Sequence, residues 1–172
     1  MHARLGMVAL MVLLIWGGAA PAGAGPELDE GAVTRPDDAE ILEWMRFKGP
    51  LSAAERGSAL EGILARMDAG GGATPRSDFL TAAAFAHRGD GRAQYCLGLA
   101  YEKGLGVVED LTDAYVWYAL AARSGYAAGG EARERVKTLL VSGYPAPTDE
   151  ELDTLTAAAA GTIARLGAEA GQ

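Results

Sequence analysis

The sequence predicts an all-α domain, a short solenoid of antiparallel helix pairs. From Asp37 onward, apolar residues recur at three- and four-residue spacing, the period of a helix with one buried face. Several of these runs open on a capping residue, and glycines separate them. No segment alternates apolar and polar positions for long enough to make a strand. At 172 residues the chain has room for one ordinary domain and too few residues for two well-cored ones.

The elements follow in order. Asp37/Asp38 cap a helix carrying Ile41, Leu42 and Met45, which stops at Gly49. Ser52-Ala53-Ala54-Glu55 is a capping box, in which hydroxyl and carboxylate satisfy free amide donors. Its helix presents Leu60, Ile63, Leu64 and Met67 and ends at Gly70-Gly71-Gly72. Thr74-Pro75 starts a third, with proline where a missing N–H costs nothing, presenting Phe79, Leu80 and Ala83 up to Gly89. A fourth helix spans about 92–103, a fifth about 111–124 and a sixth 131–140. Thr148-Asp149-Glu150-Glu151 is a second capping box, opening a last helix with Leu152, Leu155, Ala159, Ile163 and Leu166. The short connections predict that successive helices pack antiparallel.

Residues 1–24 read as an export signal. Arg4 supplies the positive start, Leu5 to Trp16 the apolar stretch, and Ala22-Gly23-Ala24 the small-x-small cleavage pattern. Ala20-Pro21-Ala22 is a second cleavage site, and an uncleaved anchor is the alternative, since the uncharged run from Leu5 to Pro26 is 22 residues. The Gly/Ala/Pro second half favours cleavage, which places the mature chain in the periplasm or outside the cell, with no membrane attachment. Residues 25–36, rich in Gly, Pro and acids, read as a flexible lead-in; 37–168 form the helical domain and 169–172 a tail. Loss of Arg4 leaves 14 basic and 23 acidic residues, a net charge of −9. That balance argues against a nucleic-acid partner, because phosphate binding draws on clustered Lys and Arg.

One segment is more specific than any periodicity. Between residues 93 and 125, Ala93, Leu97, Gly98, Tyr101, Gly104, Gly106, Val107, Asp110, Ala114, Trp117, Tyr118, Ala121, Ala122 and Gly125 stand in a fixed order and spacing. This closely resembles the Sel-one-like repeat, a tetratricopeptide-related helix-turn-helix unit. The residues carry their own physics. Ala93, Leu97 and Tyr101 make one inward stripe, and the small Ala93 and Gly98 admit a neighbouring helix. Trp117 and Tyr118 beside three alanines make knobs and hollows. Gly104 and Gly106 permit positive φ at the turn, and Asp110 caps the second helix. Gly89 precedes Gly125 by 36 residues, about one repeat. Residues 52–89 therefore read as a degenerate repeat, with Thr81-Ala82 in place of Trp-Tyr, and the terminal helices as caps that complete the core.

The candidates for chemistry are few. Cys96 is the single cysteine, which excludes an internal disulfide and a thiol-rich zinc site. His87 is the one histidine after residue 24, nine residues from Cys96. A Cys/His pair needs an orienting third group, and Cys96 reads instead as a small core thiol. No HExxH or EF-hand spacing occurs, and Gly104-x-Gly106 lacks the strand and Lys-Ser/Thr of a phosphate loop. Glu109/Asp110 and the acids at 149–151 sit at helix starts, where they serve as caps. No catalytic residue, cofactor or metal site is assigned.

The resemblance implies an exported, non-catalytic scaffold whose curved surface holds another protein in the bacterial envelope. The alternative is an envelope hydrolase using carboxylates. With Ala93, Leu97 and Tyr101 inward, helix geometry turns Tyr95, Leu99 and Glu102 the other way, and these three are the candidate partner-binding residues. The competing reading of Tyr95 and Leu99 is that the preceding degenerate repeat covers them.

Overall fold

The computed structural model describes residues 34–69, 76–143 and 145–171. The export signal, most of the lead-in and the Thr74-Pro75 start lie outside the described residues. Among those described there are seven helices and no strand: α1 (Asp38–Lys48), α2 (Ala53–Asp68), α3 (Arg76–Ala86), α4 (Gly91–Lys103), α5 (Leu111–Arg123), α6 (Ala127–Val141) and α7 (Asp149–Ala170).

Local chemistry sets most of the boundaries. Asp37 accepts from the Glu40 amide, and Gly49 closes α1 with φ of 58°. Both capping boxes form, Ser52 with Glu55 and Thr148 with Glu151, each reciprocal. Asp90 Oδ1 caps α4 through the amides of Arg92 and Ala93, and Asp110 Oδ1 caps α5 through those of Thr112 and Asp113. Between them Gly104 ends α4 in the left-handed region (φ 66°) and Gly106 turns the chain again (φ 71°), a route closed to β-branched residues.

Two helices run longer than the sequence predicts. α6 begins at Ala127, four residues before Glu131, although Gly129 and Gly130 stand in its first turn. The reason is contact: a Cβ at residue 129 would lie 2.8 Å from both Ala121 Cβ and Ala122 N, so only glycine lets α6 meet α5 there. α7 runs to Ala170, taking in the first two residues read as tail.

The helices form a solenoid of antiparallel pairs. α4 packs between α3 and α5, α5 against α6, and α2 against α4 and α3. α3 is buried continuously from Phe79 to Ala86, and the burial continues into His87 just beyond its end. The terminal helices break the simple succession: α1 lies mainly on α3, and α7 takes α5 and α1, not α6, as its main partners. An ion pair between Arg165 and Asp38 ties α7 to α1. The core runs unbroken through all of this, from Met45 through Phe79, Phe85, Leu97 and Tyr118 to Leu152 and Leu166. Truncating a buried aromatic of this core to alanine costs about 3–5 kcal/mol.

One charged residue belongs to that interior. Arg76 is 2% exposed and reaches three segments at once: its Nη1 donates to the carbonyls of Thr34 and Gly106, and its Nη2 to Glu40 Oε2 at 3.1 Å. The end of the lead-in is thus fastened to α1 and to the α4–α5 turn. Arg35 beside it pairs with Asp113 and Asp110 at the start of α5.

Candidate functional site

The three residues predicted to look outward from α4 have different fates. Leu99 is 4% exposed and part of the core. The expectation of a surface leucine is corrected: α4 packs against α2 and α3 as well as α5, so more than one of its faces is covered. Tyr95 is half-buried, its ring centroid 5.3 Å from that of Tyr118 and 5.2 Å from that of Tyr126. Glu102 is half-buried and accepts two kinds of donor, Tyr118 Oη at 2.7 Å and the guanidinium of Arg135.

Tyr95 and Glu102 therefore belong to one cluster, made by α4, the end of α5 and the start and middle of α6. Its electrostatics are settled. Burial alone would raise the Glu102 carboxyl, but the hydrogen bonds from Arg135 and Tyr118 outweigh it and hold the pKa below the ordinary glutamate value. Burial, with the carboxylate acceptor second, pushes the Tyr118 phenol well above its ordinary value, so it stays a donor. Arg135 is held more firmly protonated by the Glu102 bond. The outer parts of Tyr95, Tyr126 and Arg135 make a surface of aromatic faces beside a guanidinium, the residue types that dominate binding hot spots. Tyr126 and Arg135 were not legible as site residues. A signal for Arg135 existed: it follows Glu102 by 33 residues, close to one period of the helix-pair pattern.

The opposite side of the solenoid is covered. α7 runs over α5 towards α1 and leaves a cleft of about 440 Å³ beneath it. α3 contributes Phe79 and Ala83, the turn after it His87, α4 contributes Tyr101, and α5 contributes Val116 and Trp117; Leu155, Ala158, Ala159 and Thr162 of α7 form the roof. His87 Nδ1 donates to the Ala83 carbonyl at 2.8 Å, and its ring stands edge-on to Trp117 with centroids 5.2 Å apart. Burial lowers its pKa below the ordinary histidine value, against smaller raising effects of the Ala83 bond and Asp38, so the ring is neutral with Nε2 bare. A more open apolar groove, about 980 Å³, lies between the end of α6 and the start of α7, with Leu139 and Leu155 on its walls.

For nucleophilic chemistry the arrangement offers little. Burial pushes the Cys96 thiol up to about 12, the reverse of an activated thiolate. Among the described residues no group of three or more His, Cys, Asp or Glu is placed to hold a metal ion. No helix among them is long and apolar enough to cross a membrane. Comparison with protein-family models, with curated proteins and with solved structures finds no match to this chain.

Proposed function

We propose that this chain is an exported helical-repeat scaffold, of the Sel-one-like kind its 93–125 segment resembles, that holds another protein in the bacterial envelope and performs no chemistry of its own. The observation that carries the reading is the asymmetry of the two faces. α7 is spent on covering α5 and α1, whereas the α4–α6 side keeps Tyr95, Tyr126 and the Glu102–Arg135 pair at the surface. Aromatic rings already packed on one another lose little side-chain freedom when a partner covers them, which is what makes such residues effective anchors.

The test compares two substitutions in melting and in partner recovery from envelope extract. Tyr95→Ala loses recovery with a small change in melting. Leu99→Ala lowers melting strongly, as a buried leucine must. Full recovery with a folded Tyr95→Ala protein, or turnover of cell-wall or ester substrates by the purified chain, overturns the reading.

A further inference from the structure

α7 is long but lightly held. Of its 22 residues three are buried, Leu152, Thr156 and Leu166. With the partly buried Ala159 and Ile163 they form one seam, stepping by four and three residues in turn, the pattern of a helix laid along a groove. The groove is not filled. Ala159 and Thr162 border the cleft of about 440 Å³, and Ile163 and Gly167 border a second, of about 810 Å³, at the end of α1. Protein interiors are close-packed, so a helix seated over two clefts forgoes much of the contact open to it. Its ion pairs to other helices stand in solvent: Arg165 with Asp38 and Lys137 with Asp149, the two aspartate side chains 54% and 75% exposed. Such pairs hold weakly. α7 also lies on α5 and α1 rather than on α6, its neighbour in the chain. α5 and α6, by contrast, meet so closely that glycine is required at Gly129.

We propose that α7 is a displaceable cover on a helix-binding groove formed by α1, α3 and α5, and that the partner it keeps out is an amphipathic helix. The resident helix shows what the groove accepts. Its fully buried anchors, Leu152 and Leu166, are roughly 21 Å apart at the rise of an α-helix. Between them the cleft is bordered by the small side chains of Ala159 and Thr162. A partner helix with the same anchors and a leucine or phenylalanine between them occupies space that α7 leaves open. Displacement costs only what the seating of α7 is worth, and two leucine anchors with exposed ion pairs keep that low. This face is separate from the Tyr95 side, and neither requires the other.

The test uses the α7 sequence itself as the probe, a fluorescent peptide of residues 148–171 titrated into the full chain and followed by anisotropy. The peptide is expected to bind saturably, with Kd of about 100 μM or tighter, by exchanging with the resident helix. A peptide carrying Leu152→Asp and Leu166→Asp should not bind. Leu166→Ala in the full chain loosens the resident helix, so the wild-type peptide should bind it at least about tenfold more tightly. Hydrogen exchange on the wild-type chain should show α7 amides at least about tenfold less protected than those of α4 and α5. No saturable binding, equal binding of the two peptides, unchanged or weaker binding by a folded Leu166→Ala chain, or α7 amides as protected as those of α4 and α5 overturns the proposal. If Leu166→Ala does not fold, the wild-type titration and exchange decide alone.

Discussion

Gly98 on α4 lies flat against the ring of Tyr118 on α5, so closely that a Cβ at residue 98 would sit 2.5 Å from Cδ1 of the tyrosine. The ring cannot step aside freely, because its hydroxyl is bonded to Glu102 one turn along the same α4 helix. The glycine that admits the neighbouring helix and the carboxylate that fixes the ring are thus parts of one contact, and that contact supports the Tyr95 surface.

Gly98→Ala sets two effects against each other. Helix propensity gains about 1 kcal/mol, and overpacking costs about 1–3 kcal/mol. With the ring pinned, the clash wins, and a net loss of up to about 2 kcal/mol is expected in urea unfolding. Gly161 in α7 is the control, since nothing lies within 4 Å of its missing Cβ. Gly161→Ala should stabilise by about 0.5–1 kcal/mol. Equal effects at both positions would show that α4 and α5 are further apart than described.

Arg76 predicts a second contrast. Its guanidinium joins Thr34, Gly106 and Glu40 inside the protein, whereas Arg92 meets Glu61 in the solvent, with the Glu61 side chain 73% exposed. Arg76→Met should cost about 2–3 kcal/mol, the loss of hydrogen bonds to a buried charge. Arg92→Met should cost less than about 0.5 kcal/mol. Urea titration of the two variants checks the ratio, and proteolysis near Thr34 should quicken only in the first.

His87 makes stability depend on pH in a definite direction. The folded state holds its imidazole below the ordinary value by burial, so the unfolded chain takes up a proton first as pH falls below about 6.5. The unfolded state then binds more protons, and stability drops as pH falls from the ordinary histidine value towards the lowered one. It is fully present above that window. Denaturant midpoints at about pH 7.5 and 5.5 should differ for wild type and converge for His87→Phe, because carboxylates titrate below this range. A wild-type midpoint that rises on acidification would contradict the neutral, buried ring.

Much of the fold is legible from local signals, and the reason is range. Ser52 with Glu55, Thr148 with Glu151, and Asp110 with the next two amides all act within three residues, so the sequence displays both partners together. Contacts of longer range are not displayed. Gly129-Gly130 looks like a breaker until α5 is seen against it. Leu99 looks outward from the stripe of Ala93, Leu97 and Tyr101, but α4 is wrapped on more than one side. Leu155 follows the apolar period of α7 and is nevertheless 44% exposed, because the period gives a face and not its destination. Arg76 is the extreme case, a charged residue at a helix start whose carbonyl partners stand 30 and 42 residues away. The site divides the same way. Tyr95 and Glu102 are readable from α4 alone; Tyr126 and Arg135 join them only through the packing of α6.

The claim that a partner protein docks on the α4–α6 side is tested most directly by site-specific photo-cross-linking in the cells that make the protein. The photoreactive residue p-benzoyl-phenylalanine replaces Tyr95 in one strain and Leu155, on the apolar groove beside α7, in another. The account predicts a discrete cross-linked protein from position 95 and none from position 155. Adducts confined to position 155, or none from position 95 in a protein that melts like wild type, would contradict it.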